Sequence, residues 1–110
     1  MFKMSEELEM ICFQIISNSG SAKSNYIEAI QKAKAKEYDE ANRLMEEAEE
    51  YFLKAHKIHS ELIQKEACGE KTEFSILLMH SEDQMASTEL SKILAQEVIE
   101  LHKELNSIKN

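Results

Sequence analysis

A chain of 110 residues with no proline and only two glycines, Gly20 and Gly69, carries almost nothing that forces a turn. Proline and glycine end helices and supply the backbone conformations that tight connections need. Their near absence predicts few connections and long elements between them. Ala, Leu, Glu, Lys, Gln and Met are abundant, and these side chains lose little rotamer freedom in a helix. No segment alternates as a strand would. The expected fold class is all-α, in one domain over 1–110, because a chain of this length suits a single core.

Apolar residues recurring every three to four positions mark the helices. The first, about 4–35, carries Leu8, Ile11, Cys12, Ile15, Ser19, Ala22, Tyr26, Ala29 and Ala33 on one stripe. Asn18-Ser19-Gly20-Ser21 falls in its middle, but the stripe keeps phase across it, so one helix is expected, with room for a kink. Lys34-Ala35-Lys36-Glu37 marks the first turn. The second helix, about 38–68, follows Ala41, Leu44, Ala48, Phe52, Ala55, His59, Leu62 and Ile63, and Gly69 is a natural left-handed cap. The third, about 74–108, runs through Ile76, Leu77, Met79, Leu90, Leu94, Leu101, Leu105 and Ile108. Short connections between long helices predict an antiparallel three-helix bundle. The stripes are broader than three helices can hide, so self-association is expected.

A formal charge of −8 repels phosphate backbones and anionic lipid, which disfavours nucleic-acid and membrane partners and suits a basic protein. Met1-Phe2-Lys3-Met4-Ser5-Glu6-Glu7 lacks the apolar centre of a signal peptide, and no apolar run reaches spanning length. A cytoplasmic, soluble protein is the expectation. Cys12 and Cys68 lie far apart with no CxxC spacing, which argues for idle or buried thiols over a zinc or disulfide framework.

Chemistry concentrates in helix three, at Met79-His80-Ser81-Glu82-Asp83-Gln84-Met85-Ala86-Ser87. Counting by threes and fours from Ile76 puts His80, Asp83 and Ser87 on the inward stripe, where Leu or Ile would normally sit. Gln84 is one turn beyond His80 on the same side. Buried polar groups cost stability unless partnered, so three in succession suggest a purpose. Helix two offers His56 and His59, side by side, with His59 on the seam of Phe52. A lone histidine on such a seam is ordinarily a satisfied core residue, and His102 reads as solvated. His80 stands apart because of its company. A neutral imidazole is nucleophilic near neutral pH, and an early helical turn favours added negative charge. Phosphoryl acceptance is therefore within reach of His80. Metal binding competes as a reading, since His-x-x-Asp and His-x-x-His on two helices could converge, but the Glu-x-x-His signature of di-iron bundles is absent.

The ordered set of segments resembles the lactose/cellobiose family of phosphotransferase enzyme IIA components over nearly the whole chain. The segments are Asn18-Ser19-Gly20-Ser21-Ala22-Lys23-Ser24, Ala55-His56 with Glu61 to Glu70, Met79-His80-Ser81-Glu82-Asp83, and Ile99-Glu100-Leu101-His102. The resemblance implies that His80 takes a phosphoryl group from phospho-HPr and passes it to a cysteine of a IIB component. The cargo of the system would be a β-glucoside or disaccharide such as cellobiose or lactose, with a membrane-embedded IIC partner. It implies a homotrimer, a nine-helix assembly, in which three copies of Asp83 meet around one Mg2+. Hard oxygen ligands suit magnesium, and close carboxylates need a cation or a proton between them.

The sequence departs from the family pattern at several points. Gln84 stands where a histidine commonly follows the aspartate, and His59 where a glutamine is common. These look like reciprocal exchanges, which predicts that the two positions share one cavity, within a chain or across a subunit boundary. Lys23 stands for a frequent arginine, which forgoes bidentate contact should that residue touch phosphate. Lys36-Glu37 stands for a frequent Gly-Asp turn, which predicts weaker capping of helix two. The alternatives carried forward are a non-catalytic helical adaptor and a metal-binding bundle built on His56 and His59.

Overall fold

The computed structural model describes residues 5–109, and the expected helix start at Met4 and the leader reading of residues 1–4 lie outside them. Three helices follow in order: α1 (Glu6–Lys34), α2 (Tyr38–Ala67) and α3 (Ile76–Lys109). They form an antiparallel bundle measuring 63 × 21 × 19 Å. Among the described residues there is no strand.

Helix ends follow the local chemistry. Ser5 caps α1 by accepting the Leu8 N–H at 3.1 Å, and Glu6, Glu7 and Glu9 complement the positive end of the helix dipole. The centre of α1 runs unbroken through Asn18 to Ser21. Lys36 takes the first turn at φ 65°, a left-handed conformation that costs a non-glycine residue about 1 kcal/mol or more. Glu37 then precedes α2 without a side-chain capping bond, so the Lys36-Glu37 pair does give the weaker turn expected of it. Gly69 closes α2 at φ 97°, where its missing Cβ removes the strain. Ser75 caps α3 by accepting from the Leu78 N–H at 3.0 Å, and α3 starts two residues later than its apolar pattern suggested.

α1 is the middle element: it packs along both α2 and α3, which scarcely touch each other. A helix buried on two sides needs small side chains on its seams so that both neighbours can come close. Ala22, Ala29 and Ala33 of α1 meet that need, matched by Ala41, Ala48 and Ala55 of α2, all essentially inaccessible. Larger groups fill the layers between them. Ile15, Tyr26, Phe52 and Met85 form the main cluster, and Leu8, Cys12 and Leu62 close the end near the α2–α3 loop. Replacing Phe52 by Ala should cost about 3–4 kcal/mol, because the void lies between two long helices that cannot collapse into it. Urea denaturation would read this as a lower midpoint with an unchanged slope.

One polar clamp crosses the centre. The Tyr26 hydroxyl donates to Glu49 Oε2 at 3.3 Å, and Lys92 Nζ holds the same oxygen at 2.7 Å while lying 5.0 Å from the centre of the Phe52 ring. Burial first, and then the Glu49 carboxylate, push the Tyr26 phenol above its ordinary value of 10.0. A phenol raised on folding stabilises the fold in full below its unfolded pKa and loses that contribution as pH climbs past it. Between pH 10 and 12 the protein should therefore lose stability, and Tyr26→Phe should flatten that loss; equal losses in both proteins would refute the assignment.

Candidate functional site

The third helix corrects the expectation of an inward His80. Its buried seam, which packs against α1, consists of Ser81, Met85, Thr88, Ala95 and Ile99. His80 and Asp83 are exposed and Ser87 is half-buried. The apolar stripe that continues their line is exposed as well: Ile76, Leu90, Ile93, Leu94, Leu101 and Leu105 each lie between 44% and 83% exposed. Periodicity found that stripe correctly but took the wrong side of the helix as the chain's own interior. The seam that faces α1 is less apolar because α1 and α3 approach closely and polar groups bridge them. Thr88 Oγ1 donates to the Ser19 carbonyl at 3.1 Å, and Ser19 Oγ contacts Met85 Sδ at 3.5 Å. Among the described residues the outer stripe is a continuous apolar surface with no partner inside the chain, the kind of surface that marks an interaction face.

His80 sits in the second turn of α3, at the upper end of that outer stripe, with Asp83 and Ser87 following it turn by turn. The start of α3 differs from the other two helices in one respect. α1 and α2 place carboxylates in their first turns, whereas α3 has none there. The positive end of the α3 dipole is left for a charge from elsewhere.

Beside this face lies a junction that the sequence did not reveal. His59 Nε2 stands 2.8 Å from both carboxylate oxygens of Glu82, with the histidine side chain only 16% exposed. This pair ties α2 to α3 where those helices otherwise make few contacts. Behind it, Cys12 is fully buried. Burial raises its thiol above the usual value, the Ser81 hydroxyl opposes that shift by hydrogen bonding, and the nearby Glu82 carboxylate adds to it. Cys12 is thus the inert, core thiol the sequence suggested, while Cys68 is exposed. Sequence could not have paired His59 with Glu82, because the register between two helices is fixed by packing and not by local pattern.

The proposed His59–Gln84 cavity does not form within one chain. His59 commits its Nε2 to Glu82, and residues two apart on a helix point about 200° away from each other. Gln84 is half-buried on the other side of α3. His56 is exposed, its ring 5.9 Å from that of Phe52 and its Nδ1 3.5 Å from Ser60 Oγ. Among the described residues no three His, Cys, Asp or Glu side chains gather at ligand spacing. A metal-binding bundle based on His56 and His59 therefore has no ligand set in a single chain. Asp83, an exposed carboxylate at a face awaiting a partner, fits a hard cation such as magnesium only if other copies bring further oxygens. Also among the described residues, no helix is long and apolar enough to cross a membrane.

The remaining element is a cation. Lys23 Nζ reaches from α1 to Ser87 Oγ at 3.5 Å, which brings one positive charge to the edge of the outer face.

Comparison with known proteins bears on all of this. Residues 10–103 match the family described as the lactose/cellobiose-specific IIA subunit of the phosphotransferase system. The lichenan-specific phosphotransferase enzyme IIA component of Bacillus subtilis is 42% identical over 102 residues, covering 93% of each chain. The crystal structure of the cellobiose-specific enzyme IIA from Bacillus anthracis superposes with a TM-score of 0.88 at 44% identity, over 97% of this chain and 95% of that one. A IIA chain from the solution structures of the IIA(chitobiose)–HPr complex of Escherichia coli superposes with a TM-score of 0.78 at 31% identity, over 93% and 99%.

Proposed function

Since this chain belongs to the lactose/cellobiose-specific IIA family of the sugar phosphotransferase system, we propose that it carries a phosphoryl group on His80 between phospho-HPr and a IIB component. The observation that carries the reading is the position of His80. Its imidazole is exposed at the carboxylate-free start of α3, open to a docking protein and favourably placed for added negative charge.

The relay has two balanced steps. A ring nitrogen of His80, unprotonated and bearing a lone pair, attacks phosphorus on the phosphohistidine of HPr. One N–P bond forms as the donor's N–P bond breaks, and the donor histidine leaves with its electron pair. In the second step a IIB cysteine thiolate attacks the same phosphorus, an S–P bond forms, and His80 is released. Both steps rest on alignment and charge compensation. The formal charge of −8 suits a basic HPr surface. That a IIA relative was solved together with HPr supports the choice of donor. Gln84, one turn beyond His80, supports the ring or the phosphoryl oxygens through its amide. His56 and His59 act only from α2, His59 through its hold on Glu82.

The outer stripe of α3 supports a homotrimer, with three such faces closing on one another and Asp83 brought to the shared axis. Three Asp83 carboxylates could hold one Mg2+, which would offset their charge. The setting is cytoplasmic, and the sugar is a β-glucoside or disaccharide handled by IIB and a membrane-embedded IIC. Incubation with phosphoenolpyruvate, enzyme I and HPr should raise the intact mass by one phosphoryl group, lost in acid as expected of a phosphoramidate. No mass gain under conditions that phosphorylate HPr would defeat the assignment. The adaptor reading predicts that null result.

A further inference from the structure

At the far end of the bundle from His80, the α1–α2 turn meets the last turns of α3. A cleft of about 240 Å³ opens there beside Lys34, Lys36, Tyr38, His102 and Asn106. The chain carries a formal charge of −8, yet no carboxylate lines this cleft. Among the described residues neither Lys34 nor Lys36 has an acidic partner within ion-pair distance. Lysines at a helix end ordinarily cover free carbonyls. Here that work is already done, because the carbonyls of Gln31, Lys32 and Ala33 accept the N–H groups of Ala35, Glu37 and Lys36. Lys36 also holds its place at a cost: a φ of 65° suits glycine and strains lysine. Strain kept against so simple an alternative points to a use for the side chain.

The rest of the lining is equally specific. Asn106 Oδ1 is buried with no hydrogen-bond partner among the described residues, an acceptor that a bound donor would satisfy. The Tyr38 hydroxyl donates to the His102 carbonyl at 3.2 Å, which fixes the ring as a wall. Lys103 Nζ lies 5.9 Å from the centre of that ring and brings a further positive charge close by. We infer that the cleft binds the phosphate monoester of a small hydroxylated molecule, of the class of a monosaccharide phosphate. The phosphate oxygens meet Lys34 and Lys36, a hydroxyl donates to Asn106 Oδ1, and the sugar ring lies against Tyr38. The volume is below the roughly 300–1,000 Å³ of sites for drug-sized ligands, which favours one sugar ring over two. His102 stands 22 positions (102 − 80) after His80 on α3, about 33 Å at the helical rise, so the ligand and a protein docked at His80 do not compete.

Calorimetric titration of the full-length protein with glucose 6-phosphate, inorganic phosphate and glucose tests the site. Glucose 6-phosphate should bind at least about tenfold more tightly than inorganic phosphate, and glucose should give no heat. Lys36→Gly should fold at least as stably as the wild type, because glycine relieves the left-handed backbone, and yet bind glucose 6-phosphate about tenfold more weakly. Asn106→Leu should lower the affinity for the ester to that for inorganic phosphate, and His80→Ala should bind as the wild type does. No heat from glucose 6-phosphate, or undiminished affinity in Lys36→Gly, would overturn the site. Inorganic phosphate binding as tightly as the ester, or an Asn106→Leu protein that keeps the preference, would overturn the recognition of a sugar.

Discussion

His80→Ala should abolish phosphoryl relay from phospho-HPr to IIB, leaving no transfer above the rate of the IIA-free mixture. The helix itself should survive, because His80 is exposed and fills no core space, and surface changes of this kind alter stability by about 0.5 kcal/mol or less. The loss would therefore be chemical: without an imidazole, no group on this face can form the N–P bond. His56→Ala should retain most of the activity, since that ring is exposed and bonded only to its own helix. His59→Ala should fall between them, because it frees Glu82 and loosens the tie between α2 and α3. Stopped-flow or quench-flow measurement of transfer with purified partners would order the three. A His80→Ala protein that still relays at an appreciable rate would remove this residue from the pathway.

The second large effect concerns assembly. Leu90 and Leu94 stand 56% and 52% exposed at the middle of the outer stripe, where burying the exposed half in a partner is worth about 1 kcal/mol for each side chain. Replacing both with Lys forfeits that contribution in every chain and adds the cost of dehydrating ammonium groups, several kcal/mol apiece if they were buried. The double variant Leu90→Lys/Leu94→Lys should thus be monomeric, with a dissociation constant raised by more than ~10³. Its helical content should stay near that of the wild type, because neither residue supports the intrachain core. Light scattering together with circular dichroism would separate the two effects. An unchanged assembled mass would mean that the stripe is not the seam.

These two expectations come from the part of the molecule that was only half legible in sequence. Periodicity alone was sufficient for α1, whose stripe positions from Leu8 to Ala33 are buried or half-buried, while Met10, Phe13 and Ile27 off the stripe are exposed. It served α2 nearly as well, although Ile63, expected inside, is 54% exposed. It failed on α3 in an informative way. A helix with two useful faces presents two periodic patterns, and the more apolar one attracts the eye. In this chain that face carries Leu90, Leu94 and Leu101, while the intrachain face is built from Ser81, Thr88 and Ala95. A hydrophobic stripe tells that something covers it and says nothing about whether the cover belongs to the same chain.

The same limit explains what was missed at the site. His80, Asp83, Gln84, His56 and His59 could be singled out from residue type and spacing, and the resemblance to IIA components gave His80 its role. The bond from His59 to Glu82 and the reach of Lys23 to Ser87 depend on how far one helix slides along another. That register is set by how the alanine seams, Tyr26 and Phe52 pack against the facing helix, which local pattern on either helix does not specify. The turn at Lys36 and Glu37 is a mixed case. Comparison with the family's Gly-Asp was enough to expect the missing cap of α2, whereas the left-handed backbone at Lys36 emerged only in the structure, because a lysine does not favour it.

Everything functional proposed for this chain requires one atom of one residue to carry phosphorus. Fragmentation of the phosphorylated wild-type protein under conditions that preserve phosphohistidine tests that directly. The account predicts a single modified position, His80, at the exposed start of α3. Phosphoryl found on His56, His59 or His102 in its place would contradict it.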